Sequence, residues 1–159
     1  MHALPRQLLV GMAWAGLALA TTASHAVELR GFRGVPWGAG VDSLGPVQLA
    51  SASGEVSCYR RQHENMLFGD SPLKDVRFCF HDDHLFMVAV DAATDVETLV
   101  QEFAATYGPP DGSASTKTIW GNRTTRARVE MVAPAQGSAS MLLYSNEFEP
   151  HDKAQGKAF

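Results

Sequence analysis

The chain has 159 residues, 45% of them hydrophobic, and a formal net charge of −4 at neutral pH. This length fits one domain with its own hydrophobic core. A mildly acidic chain lacks the basic face that phosphate neutralisation needs, so nucleic acid and anionic membrane surfaces are excluded as expected partners.

Residues 1–26 have the three parts of a secretory signal peptide. Arg6 supplies the positive charge, residues 8–20 form an apolar stretch shorter than a membrane span, and small residues precede the cleavage position. Cleavage is expected after Ala26, with a cut after Ala23 as the alternative. The leader carries one arginine and no carboxylate, so the processed chain would keep 133 residues and a net charge of −5. We expect it in the periplasm or outside the cell, without a segment that inserts into a membrane.

Two cysteines, Cys58 and Cys79, belong to the processed chain, and each lies in a strand-like run. Export places them in an oxidising compartment, where such pairs tend to close. We therefore expect a disulfide between neighbouring antiparallel strands, which would close a loop of about twenty residues. Two unpaired thiols are the alternative.

Alternating apolar and polar residues predict about six strands in one antiparallel or mixed sheet. Residues 76–80 and 85–90 are expected to form one hairpin. Residues 116–120 and 124–132 are expected to form another, through a turn at Gly121-Asn122-Arg123. The remaining predicted strands are 47–49, 56–60 and 139–144.

One helix is predicted from about 95 to 107. Thr94 and Glu97 have the spacing of a capping box, and Gly108 followed by two prolines ends the helix. An apolar stripe at helical spacing is expected to pack on one face of the sheet; its members are Val96, Leu99, Val100, Phe103, Ala104 and Tyr107. The predicted fold class is therefore α+β, with one main helix on a sheet of about six strands. Residues 27–145 would form a single domain and residues 146–159 a flexible C-terminal tail.

Several short motifs are spread along the processed chain: Phe32-Arg33-Gly34-Val35-Pro36-Trp37-Gly38, Tyr59-Arg60-Arg61, a strand with an aspartate turn at 78–83, Tyr107-Gly108-Pro109, and Trp120. Together they resemble a family of uncharacterised small exported bacterial proteins with an FRGxPWG-type motif near the N-terminus. The resemblance implies a single envelope domain with a mixed sheet, and it brings no assigned activity.

The tryptophans of the processed chain are expected to differ in their surroundings. Trp37, between glycine and proline turns, is expected to plug the edge of the core. Trp120, beside a turn, is expected to be at least partly exposed and therefore better placed to bind a partner.

The sequence contains no GxSxG, HExxH, phosphate-loop or dinucleotide signature, so no catalytic residue is assigned. We expect a non-enzymatic protein-binding module, inhibitory or accessory, that presents a strand face or a loop edge to another envelope protein. Its candidate partner-binding residues are Tyr59, Arg61, Trp120, Arg126 and Arg128. A hydrolase without a sequence signature is a third and weaker hypothesis.

The segment His81-Asp82-Asp83-His84 suggests an alternative function. His81, Asp83 and His84 could bind zinc or copper, with Cys79 as a further ligand if it is not in a disulfide. The same residues are also typical of a hairpin turn. No cofactor is expected under the first hypothesis, and zinc or copper under the second.

Overall fold

The computed structural model describes residues 28–114, 116–121 and 125–150. The predicted signal peptide therefore lies outside the described residues. None of the helices found in these ranges combines the length and the apolar character needed to cross a membrane.

The described residues form eleven strands and one α-helix, together with a short 3-10 helix at Val41–Leu44. The elements are β1 (Gly31–Phe32), β2 (Val35–Pro36), β3 (Val47–Ser53), β4 (Val56–Arg61), β5 (Leu67–Phe68), β6 (Ser71–His81), β7 (His84–Ala92), α1 (Val96–Tyr107), β8 (Gly112–Ala114), β9 (Lys117–Trp120), β10 (Ala127–Ala135) and β11 (Ser138–Ser145).

Nine of these strands form one sheet in the order β3-β4-β6-β7-β11-β10-β9-β8, with β5 paired to the start of β6. Every strand pair recorded in the described ranges is antiparallel. The predicted count of about six strands was too low, because β5 and β8 have only two and three residues and show no readable alternation. The mixed sheet implied by the family resemblance is also not observed.

Helix α1 packs its apolar stripe on the sheet, as predicted, and Leu99 and Phe103 are its fully buried members. Its N-cap is Asp95 and not Thr94, so the predicted capping box is wrong. The Asp95 carboxylate accepts hydrogen bonds from the backbone N–H of Thr98 at 2.8 Å and from its hydroxyl at 3.0 Å. These bonds lower the pKa of Asp95. The carboxylate caps the helix and, unlike a neutral threonine hydroxyl, also brings a negative charge to the positive end of the helix dipole.

The two faces of the sheet have different roles. One face carries the main core, including Phe78 of β6, Val88 of β7 and Leu143 of β11, and is covered by α1 and the N-terminal segment. Trp37 belongs to this cover and is 8% exposed, which confirms its predicted role as a plug. The other face is mostly polar and holds a small cluster of Cys58, Cys79 and Phe86.

Residues 146–150 fold back onto the sheet instead of forming the loose tail predicted for 146–159. Two hydrogen bonds join Arg128 to Glu149, at 2.8 and 2.7 Å, and the Phe148 ring stacks on His84 with 5.6 Å between centroids. These contacts join the described part of the predicted tail to β10 and β7. Residues 151–159 lie outside the described part of the chain.

Candidate functional site

The five predicted partner-binding residues do not form one surface. Tyr59, Arg61 and Trp120 project from the face that carries the main core, since Tyr59 pairs with Phe78 and contacts the core. Arg128 projects from the opposite face, where it lies over the ring of Tyr144. A single partner could not contact all of them on a flat interface.

Trp120 is buried, with 6% exposure, so its predicted exposure was wrong. Its ring meets Phe103 edge to face, with centroids 4.8 Å apart, and its indole N–H donates to the carbonyl of Gly108 at 2.9 Å. The neighbouring turn suggested exposure, but the helix end folds over β9 and covers the ring.

Arg61 is held inside an ion cluster with Arg33 and Glu64. Glu64 is nearly buried and lies 2.5 Å from Arg33 and 3.4 Å from Arg61. The guanidinium of Arg61 also stands 4.8 Å above the ring of Phe78. These contacts pin the loop after β4 to the N-terminal segment, so Arg61 has a structural role.

The other two arginines of the predicted set also have partners within the fold. The Nε of Arg126 lies 3.2 Å from a carboxylate oxygen of Glu28 at the surface. Arg128 is largely buried, and its hydrogen bonds to Glu149 raise its pKa further above the usual value. Each of these side chains is therefore already paired with a carboxylate of the same chain.

The predicted metal-binding residues lie in a tight hairpin turn between β6 and β7. Asp82 and Asp83 have φ values of 50° and 59°, and His81 pairs with His84 across the turn. Asp83 accepts a hydrogen bond from the backbone N–H of Val41 at 2.9 Å. Turn geometry and the anchoring of the 3-10 helix therefore account for the two aspartates.

The histidines at this turn point to separate partners. His81 lies 3.1 Å from Glu55, whereas His84 stacks on the ring of Phe148. Among the residues that the structure describes, no group of three or more histidine, cysteine, aspartate or glutamate side chains is arranged to hold a metal ion. Cys79 is withdrawn from any such set, because it is bonded to Cys58.

The predicted disulfide between Cys58 and Cys79 is confirmed, and it joins residues 21 apart in the sequence. The two cysteines face each other directly on β4 and β6, with their Cα atoms 4.0 Å apart. Such a close approach marks a pair whose backbone groups are not hydrogen-bonded to one another. The bond therefore ties β4, and with it β3, to the centre of the sheet.

The most distinctive open edge of the sheet is that of β3, which lies at one end of the strand order and pairs only with β4. Its seven residues, Val47–Ser53, contain no charge and no proline. Natural sheets usually protect such edges with lysine, proline or very short strands. The opposite edge follows this rule, since β8 has only three residues. The sequence predicted only residues 47–49 of this strand, although the absence of charge from residue 47 to residue 53 indicated that the uncharged segment is longer.

The strand register shows which backbone groups of β3 face outward. Since Cys58 and Cys79 are not hydrogen-bonded to each other, Cys58 directs its N–H and C=O toward β3 and Tyr59 directs its own toward β6. Leu49 is the partner of Tyr59, so its backbone groups point away from β4. The hydrogen bond from Gln62 to Pro46, at 3.0 Å, continues the same alternation. Leu49 thus presents a donor and an acceptor along the open edge.

Three large apolar side chains are exposed among the described residues: Leu49, Met66 and Leu67, which are 55, 40 and 50% exposed, respectively. Leu49 lies on β3 itself, whereas Met66 and Leu67 lie at β5, which pairs with the start of β6. Leu49 is therefore the exposed apolar side chain that belongs to the β3 edge.

The charges next to this edge are neutralised within the fold. Arg60 binds Asp75 through two hydrogen bonds of 2.6 and 2.8 Å, and this contact lowers the pKa of Asp75 and raises that of Arg60. Because these groups are already paired, the edge presents backbone groups and apolar side chains and not a charged field.

Comparison of the chain with protein-family models, curated proteins and solved structures finds no match. Functional assignment therefore depends on the residues themselves.

Proposed function

We propose that the processed protein is a non-enzymatic binding module of the cell envelope that accepts an extended segment of another protein along β3. The observation that carries this proposal is the seven-residue, uncharged edge strand with Leu49 exposed beside it. An incoming strand would gain main-chain hydrogen bonds from the edge and side-chain contacts from Leu49.

The edge also indicates the chemistry of the partner. Leu49 and Tyr59 lie side by side on one face, so the added strand would place an apolar residue against them. The edge carries no charge of its own, so a segment rich in uncharged residues would pair with least desolvation cost. A bulge at Ala50, between Leu49 and Ser51, locally interrupts the ladder and would set the register of the incoming strand.

Three features support a location outside the cytoplasm. The Cys58–Cys79 disulfide is typical of proteins that fold in oxidising compartments. The sequence of residues 1–26 favours export, and the resemblance of the 32–38 motif to small exported bacterial proteins points the same way.

The test is site-specific photo-crosslinking in the periplasm. A photoreactive phenylalanine analogue is placed at Ser51 on β3 or, as a matched control, at Ser113 on β8, since both positions are exposed. We expect a discrete adduct from position 51 and none from position 113. An adduct from both positions, or from neither, would contradict the proposal. An adduct of twice the chain mass would identify a second copy as the occupant and refute the assignment to another protein.

A proline substitution separates the edge backbone from the apolar side chain. Leu49→Pro removes an outward N–H that the fold does not use, whereas Leu49→Ala removes the side chain and keeps the N–H. Losing one edge hydrogen bond, together with the clash of the ring, is expected to lower adduct yield at position 51 by about tenfold or more. Circular dichroism checks that both variants fold. Equal yields from Leu49→Pro and the unsubstituted edge would show that strand addition is not the mode of binding.

A further inference from the structure

A cavity of about 480 Å³ lies away from the β3 edge, between the N-terminal segment, the end of α1 and the facing ends of β9 and β10. Its size falls within the range of small-molecule sites. Much of its lining is apolar, with three aromatic side chains among the residues that surround it: Leu29, Phe103, Tyr107, Trp120, Ala127 and Val129.

The aromatic lining is rigid. Phe103 stacks on Tyr107 with 4.3 Å between centroids and meets Trp120 edge to face at 4.8 Å. The indole N–H of Trp120 is fixed on the carbonyl of Gly108, at the C-cap of α1. Interlocked rings lose little freedom when a ligand binds, so the cost of ordering the site is low.

Among the residues that the structure describes, the charged groups on the rim already have partners. Glu28 lies 3.2 Å from Arg126 and 3.1 Å from Arg30, and Asp111 accepts a hydrogen bond from the backbone N–H of Gly121 at 2.6 Å. A charged ligand would have to displace one of these contacts and would also lose its own hydration. The rim therefore favours an uncharged occupant.

Tyr107 offers a polar group to such an occupant. It lines this cavity and also an adjoining depression of about 470 Å³ beside residues 28–36. Within the described residues its hydroxyl makes no hydrogen bond, although Phe103 packs against its ring. Burial raises the pKa of Tyr107, so the hydroxyl stays protonated at neutral pH and can donate.

We infer that this cavity binds a small uncharged aromatic molecule whose ring packs against the half-buried side chains of Leu29 and Tyr107, beside Trp120, and whose acceptor atom takes a hydrogen bond from the Tyr107 hydroxyl. This site is separate from the β3 edge and does not depend on strand addition. The protein would then combine a small-molecule site with a protein-binding edge.

The first test uses the uncharged fluorophore N-phenyl-1-naphthylamine and the processed chain carrying Trp37→Phe. This variant keeps Trp120 as the only tryptophan after residue 26, so energy transfer to the fluorophore reports proximity to the cavity. We expect saturable binding of one molecule per chain with quenching of Trp120. Absence of saturable binding would overturn the inference.

Two alanine-to-leucine variants locate the bound probe. Ala127 lines the cavity and Ala89 lies on the opposite face of the sheet, and both are buried. Ala127→Leu partly fills the cavity and is expected to weaken probe binding about tenfold or more, whereas Ala89→Leu adds the same volume elsewhere and should leave it unchanged. Leu49→Ser tests whether the probe binds at the β3 edge instead. If this variant alone loses the probe, binding occurs at that edge and the cavity assignment is wrong.

Tyr107→Phe tests the hydrogen bond without altering the ring packing. A neutral hydrogen bond contributes on the order of 1 kcal/mol, so the affinity for 1-naphthol should fall about three- to tenfold while the affinity for naphthalene stays the same. Equal losses for both compounds, or none for either, would refute the role of the hydroxyl. This variant also keeps the test decisive if Ala127→Leu fails to fold.

Discussion

Replacing Cys58 and Cys79 with alanine together should lower the free energy of unfolding by about 3 kcal/mol. The disulfide joins residues 21 apart, and the chain-entropy estimate for a closed loop of that size is about 3 kcal/mol at 25 °C. The two sulfur atoms are buried beside Phe86, so their removal also leaves a small cavity and adds to the loss.

Urea denaturation followed by tryptophan fluorescence measures this change. Three samples are compared: the oxidised chain, the same chain under reducing conditions, and the double alanine variant. Reduction removes only the cross-link, so it should account for most of the loss, and the alanine variant should lose slightly more. For a domain of this size, the expected loss corresponds to a drop in Tm of about 10 °C.

The reasoning would be refuted by a loss below about 1 kcal/mol in the reduced chain. That result would mean that the β4–β6 register holds the sheet together without help from the bond. If the reduced chain keeps full stability and only the alanine variant loses it, packing around the sulfur atoms and not loop closure is responsible.

Three further perturbations test other parts of the fold. Phe103→Ala removes a fully buried ring of α1 that contacts Trp120 of β9. It should reduce the free energy of unfolding by about 3–5 kcal/mol in urea titrations. A loss below about 1 kcal/mol would contradict the central position of this ring. Asp95→Ala should lower Tm while Thr94→Ala leaves it unchanged, because the Asp95 carboxylate and not the Thr94 hydroxyl caps the helix. A larger drop in Tm for Thr94→Ala than for Asp95→Ala would instead support the predicted capping box. The hydrogen bond from Arg60 lowers the folded pKa of Asp75, so this carboxylate contributes stability above its unfolded pKa, near pH 4, and the contribution is lost as pH falls through the lower folded pKa. Asp75→Asn should therefore flatten the decline of the urea midpoint as pH falls below about 4, and an unchanged slope would show that the ion pair does not contribute.

Local patterns predicted the central elements well. The alternation in residues 76–80, the apolar run of 85–90 and the stripe of α1 are each set by a repeating spacing of apolar side chains, and all three elements are present. The aspartate turn between β6 and β7 is also predictable, because few residues accept the positive φ that a two-residue hairpin needs. Strands of two or three residues carry no such repeat, which is why β5 and β8 were missed.

The candidate sites were much harder to predict. Trp120 stands beside a turn in the sequence, but the end of α1 covers it in the folded chain, so its role changed from surface contact to cavity wall. Arg126 and Arg128 looked like free charges because their partners, Glu28 and Glu149, are distant in the sequence. The partner of Arg61, Glu64, is only three residues away, but it lies in a loop without periodicity.

The sequence by itself determined the elements that depend on near neighbours: the helix and its C-terminal end and the two main hairpins. It also predicted the pairing of its only two cysteines. Only the tertiary structure decided which strand is left at the edge, which side chains lie under α1 and which charges find partners. Strand order and burial depend on contacts between residues far apart along the chain, and one-dimensional spacing carries little information about them. The β3 edge and the aromatic cavity both arise from such contacts, so they emerge only when the sheet is assembled.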